Sequence, residues 1–349
     1  MPQKLRWGVV GTAKIADQLV RAWDLSNTNE LVAIASRERA TGRAWAEKNH
    51  AEQVFDSYEK MLASNIIDAV YIPLPNGLHK EWTVKAAQQG KHVLCEKPLA
   101  DNAGQVEEII AARDANRVTI MEAFMYRFHP KTLKLKQLLD EGKVGDMKII
   151  RATFTFFLSE PRNIRMNASL AGGALMDVGC YPVNISRLVA GTEPIAVYAR
   201  AVWGEAAETV SHADPFIHTL TADDAHQIGV DHTMSAVMEF PNHVLAVVDW
   251  SFTAASHQWI GVSGTKGHIG VTAPFRMGEE DQIILYDHDG KHEDVVVQGA
   301  NEYQKMVDHF ADAVMNHKAV SYTLENSLGQ ARTLDALYRS ARCGERVML

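Results

Sequence analysis

Cysteine is scarce in this chain. Cys95, Cys180 and Cys343 are the three in 349 residues, an odd number at scattered positions, which excludes a disulfide framework and the paired spacing of a structural zinc site. They are expected to be reduced thiols. No apolar run approaches the roughly 18 residues of a membrane span, and the first residues lack the apolar stretch of a signal peptide. A cytoplasmic location without a membrane partner is therefore expected. Basic residues nowhere form a run of about five or more, and 35 Lys+Arg against 43 Asp+Glu leave a net charge of -8, so nucleic acid is not an expected partner. His212, His218, His226 and His232 are too widely and evenly spread for a compact ligand motif, and no metal is expected. Internal repeats and low-complexity segments are absent.

What the chain has is enough apolar material for two cores, with 46% hydrophobic residues over a length greater than one core usually covers. Leu5-Arg6-Trp7-Gly8-Val9-Val10 reads as a strand, Gly11-Thr12-Ala13-Lys14-Ile15-Ala16 as a tight turn, and Ile15, Leu19, Val20 and Trp23 fall at helical spacing afterwards. This is the entry to a dinucleotide fold with two glycines missing. Gly11 keeps the turn, while Ala13 and Ala16 replace the glycines that admit pyrophosphate and close helix packing. Alanine narrows that approach without closing it, and the helix N-terminus still attracts phosphate. A plain strand-to-helix connection is the other reading. An acid is missing as well. After the second strand, Leu31 to Ala35, the residue that would hold a ribose 2′-hydroxyl is replaced by Ser36-Arg37. A hydroxyl and a guanidinium suit a 2′-phosphate, which favours NADP over NAD, unless Arg37 only caps a solvated loop beside Glu38 and Arg39.

Strand and helix patterns alternate through residues 1–123. Ile67 to Ile72 is strand-like, Pro73-Leu74-Pro75-Asn76-Gly77 breaks it, and a helix from His79 stops near Gly90. Val93-Leu94-Cys95 is the next strand, Asp101 opens a helix to about Asn116, and residues 118–121 form a sixth strand. Such alternation predicts a parallel, doubly wound α/β sheet, a Rossmann domain over 1–123. Ligands bind at the carboxyl ends of such strands, so Glu96 and Lys97, directly after the fifth, are expected to face a nicotinamide. Beyond Ala123 the segments 147–157, 193–203, 232–240, 243–251 and 257–272 are rich in β-branched and aromatic residues, with turns at Pro241-Asn242 and Gly264 to Gly267. They predict an α+β domain over 124–349 with a large, mainly antiparallel open sheet, followed by helices from about Glu302 to Asn316 and Leu324 to Arg342. These terminal helices are candidates to pack back on the first domain. A sheet face left uncovered by helices implies a homo-oligomer, a dimer or a tetramer.

Five motifs stand in an informative order: Gly11 to Ala16; Pro73-Leu74-Pro75-Asn76-Gly77-Leu78-His79; Glu96-Lys97-Pro98; Glu122-Ala123-Phe124-Met125-Tyr126-Arg127-Phe128-His129-Pro130; and Gly172 to Tyr181. In this order the whole chain resembles the Gfo/Idh/MocA oxidoreductases, and is most similar to the branch of dimeric dihydrodiol dehydrogenases, NADP-dependent xylose and glucose dehydrogenases, and glucose-fructose and aldose-aldose oxidoreductases. The resemblance implies a sugar or diol oxidoreductase. It implies cofactor contacts from Gly11, Thr12, Ala13, Ile15, Ser36, Arg37, Leu74, Asn76, His79, Glu96 and Lys97. It places Lys97, Arg127, His129, Asp177 and Tyr181 beside the substrate, with no metal.

Hydride transfer suits these residues. Oxidising a secondary alcohol or a sugar C1 hydroxyl needs a base at the oxygen, and reduction needs the same group as an acid. Tyr181 is the candidate, because a Lys ammonium favours phenolate, and Lys97 is the implied source. Asp177, four residues earlier, is expected to accept hydrogen bonds from substrate hydroxyls. Pro182 suits a first helical turn, which makes Asp177 to Tyr181 the entry of a helix. Plain packing and capping roles are the alternative for both. His79 is equally readable as a helix-start residue, and Arg127 with His129 as a structural pair. Inositol-type relatives carry His where this chain has Tyr181, so their proton chemistry does not transfer. Two further readings stay open: a ketoreductase acting on a nucleotide-linked deoxysugar, and a cofactor-sensing regulator, which would need no Lys97, Asp177 and Tyr181 together.

Overall fold

In the computed structural model, which describes residues 4–160, 163–204, 229–276, 278 and 280–349, the chain divides into two compact units. One is Met1–His129 with Ala300–Leu328, the other Pro130–Gly299 with Gly329–Leu349. The division falls a few residues beyond the expected one at 123, and a C-terminal segment returns to the first unit. His212, His218 and His226 lie outside the described residues.

The first unit runs β1 (Leu5–Val10), α1 (Ala16–Asp24), β2 (Asn29–Ala35), α2 (Arg39–Asn49), β3 (Gln53–Phe55), α3 (Tyr58–Leu62), β4 (Ala69–Ile72), α4 (His79–Gln88), β5 (His92–Cys95), α5 (Ala103–Asn116) and β6 (Ile120–Glu122). All pairs are parallel, in the order β3-β2-β1-β4-β5-β6. The winding reverses between β1 and β4, the switch point at whose carboxyl strand ends ligands of such sheets bind. Central strands are apolar almost throughout, as burial on both faces requires. Trp7 on β1 is fully buried, gives its indole N–H to Asn29 at 2.8 Å, and packs 5.2 Å from Phe310. Phe310 lies on α8 (Glu302–Met315). Asp308 of the same helix accepts from the Ser26 hydroxyl at 2.5 Å, which fixes the returning segment to this unit.

The second unit holds α6 (Pro130–Asp140), β7 (Met147–Phe157), α7 (Cys180–Ala190), β8 (Ala196–Trp203), β9 (Asp231–Phe240), β10 (Val244–Ser251), β11 (Thr253–Gly264), β12 (Gly267–Thr272), β13 (Glu280–Asp287), β14 (His292–Gln298) and β15 (Val347–Met348). α9 (Leu324–Cys343) begins in the first unit and ends in the second. The nine-stranded sheet has the order β14-β13-β12-β11-β7-β10-β9-β8-β15. It is antiparallel apart from β7 against β10, which run parallel with Val247 opposite Arg151. The β-rich segment 257–272 forms two strands, β11 and β12, folded at the expected Gly264–Gly267 turn. The hairpin β13–β14 extends the sheet beyond the segments read from sequence. α7 covers one face at β7 and β10, with Val183, Ile185 and Val189 buried. Along β10 the opposite face carries exposed Leu245 and Val247.

Candidate active site

In the first unit the turn after β1 depends on Gly11. Its φ of +91° is a left-handed value that favours glycine, and a Cβ there would stand 3.0 Å from the Leu74 side chain and 3.5 Å from the Tyr58 hydroxyl. The backbone N–H of Gly11 is tied to Ala35 at 2.9 Å, which sets the turn against the end of β2. Thr12 and Ala13 follow, and α1 starts with Ile15 as its cap residue and no side-chain acceptor for its first amides. Ile15 is 36% exposed, unusual for an isoleucine at a helix start. The first amides of α1 turn back onto the carbonyls of Ala13, Lys14 and Ile15, and a glycine turn running into a helix N-terminus is the arrangement that seats a pyrophosphate.

Ser36 and Arg37 come directly off β2. The Ser36 hydroxyl accepts from the Glu38 amide at 3.3 Å, closing the turn that presents Arg37. Arg37 is near enough for its charge to act on the hydroxyl of Tyr58, the first residue of α3. Burial pushes the Tyr58 pKa up, while the Arg37 charge pulls it down. Tyr58 thus lies near both the guanidinium and the Gly11 turn, and nothing in the local sequence pointed to it.

His79 proves to be a clamp. It is the first residue of α4 and fully buried, with Nδ1 2.7 Å from the Pro98 carbonyl and Nε2 2.7 Å from the Leu74 carbonyl. Burial lowers its pKa against the pull of those two oxygens. One imidazole therefore links the Pro73–Asn76 loop to the cis Lys97–Pro98 turn. Asn76 opens the short turn between them. Glu96 is fixed from two sides, taking the Tyr71 hydroxyl at 2.6 Å on Oε1 and the Lys97 amide at 3.2 Å on Oε2. Lys97 is half-buried. Arg127 lies over the ring of Tyr322, 4.3 Å from its centre, and His129 is buried with Nε2 accepting from the Ala300 amide at 3.4 Å. These contacts give both residues structural work within this unit.

In the second unit Asp177 lies in a π-helical turn, Leu175–Gly179, that runs straight into α7. Asp177 to Tyr181 thus form the entry to a helix, as expected, but the entry is itself a π turn continuous with α7, with Pro182 in the first α turn. Proline has no N–H to give the preceding turn, and a widened turn accommodates that loss. Asp177 accepts from Arg165 Nε at 2.6 Å. Arg165 also reaches the Asn163 side chain at 3.4 Å. Tyr181, 6% exposed, has its ring centre 5.5 Å from Phe154 and 5.2 Å from Phe275, and those two rings stack on each other at 5.4 Å. The carbonyl of Cys180 accepts from Gln330 at 2.8 Å, which anchors the start of α7 to α9. Arg165, Phe154 and Phe275 touch Asp177 and Tyr181, and sequence reasoning singled out none of the three. Among the described residues no group of three or more His, Cys, Asp or Glu is placed to hold a metal ion.

Comparison with known proteins agrees with this architecture. The family described as "Oxidoreductase family, NAD-binding Rossmann fold" matches residues 5–124, and the "GFO/IDH/MocA C-terminal domain" matches residues 132–270. The chain is 36% identical over 347 residues to D-xylose 1-dehydrogenase (NADP(+)) 2 of Haloferax volcanii, covering 99% of this chain and 100% of that one. It is 32% identical to trans-1,2-dihydrobenzene-1,2-diol dehydrogenase of Xenopus laevis over 80% of this chain and 78% of the relative. Among solved structures, a 3-ketoreductase from Actinomadura kijaniata in complex with NADP and TDP-benzene superposes with a TM-score of 0.86 at 28% identity, covering 97% and 98% of the two chains. The parallel six-stranded sheet, the mixed nine-stranded sheet and both matched domains place this chain in the Gfo/Idh/MocA oxidoreductase family.

Proposed function

We propose that this protein is an NADP-dependent oxidoreductase that moves a hydride between the nicotinamide and a hydroxyl-bearing carbon of a carbohydrate, an aldose C1 or a related sugar or diol carbon. The observation that carries this reading is the π-to-α turn, which sets a carboxylate, Asp177, and a phenol, Tyr181, four residues apart on one helix. Similarity to an NADP-dependent D-xylose dehydrogenase supports the substrate class and the cofactor.

Bound NADP supplies the hydride acceptor, and the protein does the rest. Gly11, Thr12, Ala13 and Ile15 seat the pyrophosphate, Ser36 and Arg37 hold the 2′-phosphate, and Leu74, Asn76, His79 and Glu96 shape the nicotinamide end. Tyr181 takes the proton of the reacting hydroxyl in oxidation and returns it in reduction. The family resemblance assigns Lys97 the charge that favours the phenolate and the orienting of the substrate oxygen. Asp177, aligned by Arg165, accepts hydrogen bonds from neighbouring hydroxyls. Phe154 and Phe275 keep water from the phenol. A panel of free aldoses and diols, followed by cofactor absorbance with NADP and with NAD, tests the reading. NADP-linked turnover of at least one free aldose is expected, and turnover of none would overturn it. The similarity to a 3-ketoreductase solved with TDP-benzene favours a nucleotide-linked deoxysugar as the second reading. Activity on the sugar nucleotide alone would select it.

A further inference from the structure

Asp231 takes no part in the chemistry above, yet it is the most completely enclosed carboxylate near the π turn. It opens β9, is 0% exposed, and its described partners are all neutral donors. Oδ2 accepts from the Leu175 amide at 2.7 Å and from Trp250 Nε1 at 3.4 Å, and Oδ1 accepts from the Tyr338 hydroxyl at 2.8 Å. Burying a carboxylate on neutral partners costs stability, and a well-packed apolar side chain in its place would avoid that cost. What the carboxylate secures is legible in what it touches. Leu175 is the first residue of the turn that carries Asp177 and leads to Tyr181. Its amide is one of the orphan donors of a helix start, where a negative oxygen also suits the helix dipole.

The seat is tight at both ends of that turn. At Gly173, whose φ is +117°, a Cβ would stand 2.3 Å from Asp231 Oδ1 and 2.8 Å from the Tyr338 hydroxyl. At Gly179, a Cβ would stand 2.5 Å from the Trp250 ring. Asp231, Tyr338 and Trp250 therefore grip the entry and the exit of the segment and leave Asp177 and Tyr181 between the two grips. A helix start held only by packing can slide or rotate, whereas one held by a fixed acceptor has a defined axial position. A displacement of about 1 Å at a reacting group is enough to cost on the order of 100-fold in rate.

We propose that Asp231 is a positioning residue for the Asp177–Tyr181 pair, acting through the Leu175 amide. This rests on the reading of Tyr181 as the acid/base. The test uses the full chain and the aldose turned over in the panel. Asp231→Leu keeps the bulk and removes the acceptor, so it should lower kcat by about 10- to 100-fold and displace the pH profile of kcat/KM, with NADP affinity unchanged within about twofold. Asp231→Asn should restore most of the rate, since its amide oxygen still accepts from Leu175 and its NH2 can donate to the Tyr338 oxygen. In a Tyr181→Phe background, Asp231→Leu should change the residual rate by less than about threefold, because the group it positions is gone.

Equal losses from Asp231→Leu in both backgrounds, or an Asp231→Asn as slow as the Leu variant, would overturn the proposal. Should Asp231→Leu fail to fold, Tyr338→Phe replaces it. A several-fold loss confined to the background with Tyr181 then supports the proposal, and an equal loss in both backgrounds overturns it. Tyr181→Phe alone tests the reading beneath, so a fast Tyr181→Phe enzyme would contradict the acid/base assignment before the Asp231 comparison is made.

Discussion

Arg37 stands where a site for the unphosphorylated ribose would carry an acid, and its charge acts on the nearby Tyr58 hydroxyl. A bidentate, charge-assisted contact to a 2′-phosphate contributes about 1.5 to 3 kcal/mol, so Arg37→Ala should weaken NADP by that amount and leave NAD nearly unchanged. Fluorescence titration with each cofactor measures it, and equal losses for both would contradict the assignment. The residue type alone made Arg37 legible, because a cation after the second strand has a definite chemical partner. Tyr58 was not legible, since its role comes from a fold that brings α3 beside Gly11. The same holds for Arg165. It meets Asp177 from a 3-10 turn twelve residues away, and no periodicity links the two. Arg127 and His129 were readable as a pair, and the structure gives them an aromatic face and a backbone amide to satisfy.

At the scale of elements, strand–helix alternation made the first sheet readable almost strand by strand, because buried parallel strands must be apolar along their length. The second sheet was less legible at its edge. β14 is mostly exposed, and His292-Glu293-Asp294 hides the strand signal behind charge. The parallel pairing of β7 with β10 was invisible for a different reason, since it joins strands separated by a long stretch of chain. The π turn was read only as a helix entry, because composition does not distinguish a widened turn from a cap. One ion pair ties β1 to the chain just before β4: Arg6 bonds Asp68 at 2.6 and 2.9 Å. Burial works to raise the Asp68 pKa, but the hydrogen bonds and charge of Arg6 outweigh it and the net shift is downward. A carboxylate with a depressed folded pKa contributes stability that is present above its unfolded value, about 3.9, and is lost as pH falls through the folded one. Urea midpoints measured from pH 7 down to pH 3 should therefore fall less steeply below about pH 4 in Asp68→Asn than in wild type. Parallel slopes would show that this pair does not contribute to the acid transition.

At the scale of the whole molecule, no helix among the described residues covers one face of the nine-stranded sheet over β8 to β10. Tyr198, Val237 and Val247 stand side by side there in register, with Val202 and Leu245 exposed nearby. We expect this face to join copies of the chain. Val247→Glu should then shift the sedimenting species toward monomer, and a wild-type chain that sediments as a monomer at micromolar concentration would contradict the expectation. No helix among the described residues is long and apolar enough to cross a membrane. The regulator reading has no use for Lys97, Asp177 and Tyr181 together, and turnover of any sugar in the aldose panel would decide against it. Tyr181 is the group proposed to move the proton. Its most direct test is the pH dependence of kcat/KM for aldose oxidation in wild type and in Tyr181→Phe, a change that keeps the ring against Phe154 and Phe275 and removes only the hydroxyl. Wild type should rise with pH to a plateau through an apparent pKa below the ordinary tyrosine value of about 10, whereas Tyr181→Phe should be slower by at least about 100-fold and lose that rise. A Tyr181→Phe enzyme that kept both the rate and the rise would contradict the account.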